Sequence, residues 1–142
     1  MLMRSFRVCA FVVPFVVLAA GCSGELDKLP TTPDPVQVTE TFTGTINING
    51  AASHAFFTSA TGSVIATLSS LGEEPPASIG FSLGTYSGTT CSIGAGLAND
   101  RAVVTSVITA TVSTLGGALC VRIYDVGSLT APVPYEIKVE HP

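Results

Sequence analysis

The sequence predicts an all-β domain, an antiparallel β-sandwich of seven to eight strands. Two observations carry this. Apolar and polar residues alternate with period two in run after run. Turn signals separate the runs, and no helical pattern lies between them.

The runs follow in chain order. Phe42, Ile46 and Ile48 alternate with Thr41, Thr43, Thr45 and Asn47. His54 to Thr58 forms a shorter run. Val64, Ala66 and Leu68 alternate with Thr67 and Ser69. Ile79, Phe81 and Leu83 alternate with Gly80, Ser82 and Gly84, which places Ser82 on the outward side. Ala102 to Thr114 has the length of a helix, but its β-branched content and alternation (Ile108, Ala110, Val112) make it a strand. Leu119, Val121 and Ile123 alternate with Cys120, Arg122 and Tyr124, and Tyr135, Ile137 and Val139 with Glu136, Lys138 and Glu140. Turns are expected at Asn49-Gly50, Thr61-Gly62, Glu74-Pro75-Pro76, Gly94 to Asp100, Gly116-Gly117 and Ala131-Pro132. One buried face per strand accounts for the alternation.

The 142 residues allow one small domain. Composition is uneven along them. Residues 1–21 contain 16 hydrophobic residues and two of the six basic ones, Arg4 and Arg7. The other 121 residues carry four basic against ten acidic residues, a net charge of −6. So few, scattered cations exclude a nucleic-acid surface. Serine and threonine supply 30 of these 121 residues.

The first 21 residues read as an address. MLMRSFR is basic, and the 13-residue apolar run from Val8 to Ala20 follows it. That run is shorter than the roughly 20 residues of a membrane-spanning helix, and Pro14 interrupts it. The segment ends Leu18-Ala19-Ala20-Gly21-Cys22. This resembles the lipobox of bacterial lipoproteins, with small residues beside the scissile bond and a thiol to take the lipid. Leu18 stands one place earlier than the family prefers. The resemblance implies a diacylglycerol thioether and an N-acyl chain on Cys22, hence stable anchoring. Ser23 after the cysteine resembles lipoproteins sent to the outer membrane where the host is Gram-negative. No cofactor other than this covalent lipid is expected.

Cysteine usage follows from that. Cys9 leaves with the signal and Cys22 takes lipid, so Cys91 and Cys120 remain as an even pair in an exported protein, which reads as one disulfide. The rival is a metal or redox pair. With no CxxC and only His54 and His141 as further nitrogen ligands, that donor set is poor. From residue 22 to 38 the chain is proline-rich and polar, an extended linker. Its sixteen residues Ser23 to Val38 reach roughly 50 Å. The sandwich is expected over 39–142.

A second resemblance covers roughly residues 40–140. Phe42-Thr43-Gly44-Thr45-Ile46, His54 to Thr58, Gly62 to Leu68, Gly117 to Asp125 and Tyr135 to Val139 follow the order of strands in the bacterial pre-peptidase C-terminal domain. Arg122-Ile123-Tyr124 is the most specific piece, with Leu119 where that family prefers tyrosine. The resemblance implies a jelly-roll-like sandwich. Some family members bind calcium or collagen. The acidic cluster of the calcium-binding members is not evident here, so those roles are not carried over.

Chemistry-bearing sets are sparse. Gly80-Phe81-Ser82-Leu83-Gly84 matches G-x-S-x-G, but a nucleophile elbow needs a sharp strand-to-helix turn, and this one lies within a strand. His54 reads as a strand-edge or partly exposed side chain and His141 as a tail residue. Glu73-Glu74 and Asn99-Asp100 are loop oxygens that suit calcium in type, or solvated acids. Arg122 and Tyr124 face away from the core and are the candidate contact surface, unless they pair with Glu136 or Asp125. The expected function is that of a non-catalytic module, for protein interaction or adhesion, held at an extracytoplasmic membrane face. The alternative is a small-ligand, carbohydrate or calcium-binding module, and a hydrolase on Ser82 is the third reading.

Overall fold

The computed structural model describes residues 33–142. The expected signal segment, Cys22 and most of the expected linker lie outside them. Eight strands follow one another: β1 (Val38–Ile46), β2 (Ala51–Thr58), β3 (Gly62–Ser70), β4 (Ile79–Ser87), β5 (Thr90–Ala102), β6 (Val107–Val112), β7 (Gly117–Tyr124) and β8 (Val133–His141). They form two four-stranded antiparallel sheets, ordered β1-β8-β3-β6 and β2-β7-β4-β5. Successive strands therefore alternate between sheets from β1 to β4 and again from β5 to β8. The pairs β1/β8, β2/β7, β3/β6 and β4/β5 read as one long hairpin rolled up, which is jelly-roll topology.

The alternation in sequence is the alternation of faces. β8 shows it most cleanly: Val133, Tyr135, Ile137, Val139 and His141 are buried, with less buried residues between them. Phe56, Val64, Leu68, Phe81, Val121, Ile123, Ile137 and Val139 are almost wholly buried and pack between the sheets. Ile48, by contrast, sits in the β1–β2 turn and is exposed. That turn places Asn49 at φ 55° ahead of Gly50, a left-handed conformation that asparagine tolerates.

Two expected boundaries are corrected. Gly94 to Asp100 is not a turn but part of β5, whose pairing with β4 shifts register twice. Those bulges let Gly94 and Gly96 sit inside a strand. Ala102 to Thr114 is not one strand. The chain leaves β5 at Ala102, turns through Thr105 at φ 77°, and enters β6 at Val107. The Ser106 hydroxyl accepts from Val103 N and closes that turn.

Cys91 and Cys120 form the disulfide, with a Cα–Cα distance of 5.8 Å. Cys91 is the register partner of Tyr86, and Cys120 that of Gly84. The bridge thus joins the two strands that flank β4. A Cβ on Gly84 would collide with the Ser92 carbonyl. Glycine is what lets β5 approach so closely here.

Candidate functional site

The outer face of the β2-β7-β4-β5 sheet holds the predicted contact residues. Phe81 and Leu83 of β4 point into the core, so Gly80, Ser82 and Gly84 lie on the outer side. From β7, Ala118, Cys120, Arg122 and Tyr124 share that side, since Leu119, Val121 and Ile123 face inward. From β2 it takes Ser53, Ala55 and Phe57, because Ala52 and Phe56 pack on the core.

Tyr124 is fixed from two directions. Its register partner is Gly80, where any Cβ would overlap the phenol ring, so the ring lies flat on the backbone of β4. Its hydroxyl donates to Asp100 Oδ1. Burial first, then the bond to Asp100 and that residue's charge, push the phenol up to about 12, with Arg122 opposing. It stays a neutral donor at physiological pH. The Arg122 guanidinium lies 5.4 Å from the ring centroid, within cation–π range.

Neither expected partner pairs with Arg122. Glu136 belongs to the other sheet and lies 3.9 Å from Lys138. Asp125 is committed to the loops. Its Oδ2 accepts from Asn49 N, and its Oδ1 from Gly127, Ser128 and Leu129 N. These bonds, Asn49 foremost, hold the carboxyl below the usual carboxylate range. Arg122 forms no ion pair with a described residue.

Ser82 combines an outward orientation with burial. It does lie on the face opposite Phe81 and Leu83, yet it is fully buried, and its hydroxyl has no hydrogen-bond partner. β4 is an inner strand, with Arg122 and Ala98 as the flanking partners of Ser82. Six consecutive β4 residues, Ile79 to Gly84, are buried. The G-x-S-x-G pattern is thus a packing pattern: three small residues beneath a tyrosine ring and a closely approaching strand. A hydroxyl with no base beside it is not an activated nucleophile.

Both histidines lie on the inner faces, at the seam between edge strands β1 and β2. His54 stacks on Phe42 with centroids 4.9 Å apart, and its Nε2 is 2.8 Å from the Tyr135 hydroxyl. Burial pushes its imidazole below the ordinary value. His141 is no tail residue. It ends β8, is 3% exposed, packs on Phe56 and lies 2.9 Å from Glu40 Oε1. The period-two run Tyr135, Ile137, Val139 carries His141 inward, a signal present in the sequence.

Glu73 and Glu74 edge a cavity of about 720 Å³ lined by Pro75, Pro76, Leu129 and Pro132. Asn99 and Asp100 lie in β5, where Asn99 Oδ1 accepts from Arg101 N and Asp100 holds Tyr124. Among the described residues no three His, Cys, Asp or Glu group suitably for a metal ion. Phe57, for which the sequence carries no site signal, is 69% exposed on the same outer face as Arg122.

No protein-family model matches the chain, and no curated protein matches it.

Proposed function

We propose that this chain is a lipid-anchored extracytoplasmic protein whose sandwich is a non-catalytic module for binding a protein partner at the cell envelope. The observation that carries the reading is the outer face of β2-β7-β4-β5. There Arg122 lies over the ring of Tyr124, which is held by Asp100, and Phe57 stands exposed. Aromatic residues and arginine are the side chains most enriched at protein interfaces. A disulfide suits an oxidising compartment. The signal-like first 21 residues and Cys22 in its lipobox setting supply the address and the membrane attachment. The resemblance to the pre-peptidase C-terminal domain, an accessory sandwich of secreted proteins, points the same way.

The test is photo-cross-linking in cells, with a benzophenone amino acid at Ala55 on this face and, as control, at Thr67 on the outer face of β3. The expected result is a discrete adduct from position 55 and none from position 67. Equal adducts from both positions, or none, contradict the reading.

The alternative, a small-ligand, carbohydrate or calcium module, is favoured by the cavity beside Glu73 and Glu74. It predicts a rise in melting temperature with calcium or glycans, and the binding-face reading predicts no such shift.

A further inference from the structure

Resting on the reading above, we propose that the β2-β7-β4-β5 face receives an extended protein segment bearing a single acid. Arg122 takes a carboxylate of that segment, and Phe57 takes an apolar side chain four residues along it.

Arg122 is an incomplete polar group. It is half-buried, and a partly desolvated guanidinium gains most from a carboxylate, which it can grip with two parallel hydrogen bonds. No described residue provides one. Its aromatic support among the described residues, Tyr124, is itself fixed: the ring rests on Gly80 and is tied to Asp100. The guanidinium is therefore positioned in advance, which lowers the ordering cost of binding.

Its surroundings are polar and incomplete as well. Arg122 is the register partner of Ser53 on one side and Ser82 on the other. Ser53 is exposed, and the buried Ser82 hydroxyl has no partner. The row Ser53–Arg122–Ser82 thus gathers a cation between two hydroxyls with no internal anion.

Phe57 fixes the spacing. It pairs with Ala118, two outward-facing residues along β2 from Ser53. Four residues of strand put the two rows about 13 Å apart. Between them lie Ala55 and Cys120, which are small and leave the face flat. An extended segment with an acid and an apolar residue four apart has both side chains on one side at that spacing.

Charge limits the length of the acidic stretch. Residues 33–142 carry eight carboxylates and three cations. A long polyanion is repelled by the rest of the domain. A single well-placed acid is not.

The test uses a fluorescein-labelled nonapeptide of serine and threonine bearing one glutamate and one leucine four residues apart. It is titrated with the full chain in detergent micelles and read by fluorescence anisotropy. Saturable binding is expected, weakened about tenfold by Arg122→Gln, less by Arg122→Lys, and also by Phe57→Ser or by glutamine in place of the peptide's glutamate. No saturable binding, or binding indifferent to Arg122→Gln, overturns the proposal. The cross-link from position 55 separates the two failures. An adduct that persists with Arg122→Gln overturns the carboxylate site and leaves the face standing; no adduct in the wild type overturns both.

Discussion

His54 of β2 and Tyr135 of β8 share a hydrogen bond of 2.8 Å across the gap between the two sheets. Phe42 of β1 stacks on the other side of the imidazole. A strand-edge histidine is here a tie between sheets, made where edge strands β1 and β2 face one another. Burial of the imidazole favours its neutral form over the charged one.

The sign of the pH dependence follows. The folded imidazole titrates below its unfolded value of about 6.5, so the unfolded chain binds the proton more readily. Stability from this site is present above the unfolded value and is lost as pH falls through the lower, folded one. Urea denaturation at about pH 7.5 and pH 5 should show the loss, and His54→Gln should narrow it. An equal loss in the variant contradicts the account. Tyr135→Phe should cost about 1 kcal/mol at neutral pH.

Asp125 titrates lower still. Four backbone N–H groups from two loops converge on its carboxylate. Its stabilisation is present above the unfolded carboxylate value and disappears as pH falls through the depressed one. Asp125→Ala should lower the melting temperature more than Asp125→Asn, which keeps an oxygen acceptor. Calorimetry at neutral pH checks the order; the reverse order is inconsistent with this capping.

The small residues of β4 make opposite predictions. Gly84→Ala drives a methyl into the Ser92 backbone and should cost about 1–3 kcal/mol. Ser82→Ala removes a buried hydroxyl that has no partner, and should be neutral or stabilising. A large loss for Ser82→Ala in chemical denaturation shows a bond that this packing does not contain.

The disulfide links residues 29 apart in sequence. Closing a loop of that size stabilises by roughly 3–4 kcal/mol in the chain-entropy view. Replacing both Cys91 and Cys120 by alanine should lower stability by about that amount, measured by urea denaturation. No change contradicts a formed bond.

Period-two alternation was enough to read the sandwich, because most strands bury one face only. It failed where that condition fails. β4 is buried on both sides, so Ser82 faces outward as the alternation predicts and is still shut off from solvent. β5 is bulged, so Gly94 to Asp100 looked like a turn. The turn at Thr105 carries no glycine or proline, so the end of β5, the turn and β6 read as one run from Ala102 to Thr114. Arg122 and Tyr124 were legible as outward-facing, but their stacking depends on Asp100, which comes from another strand. His141 lay within an alternating run whose length was underestimated. Pairings such as Glu40 with His141, 101 residues apart, have no local signature.

The central claim is that this sandwich is displayed on a membrane through Cys22. Mass spectrometry of the chain extracted from membranes tests it most directly. The predicted result is a mature N-terminus at Cys22, with a diacylglycerol thioether and an acylated amine. An unmodified Cys22, or an N-terminus elsewhere, contradicts it.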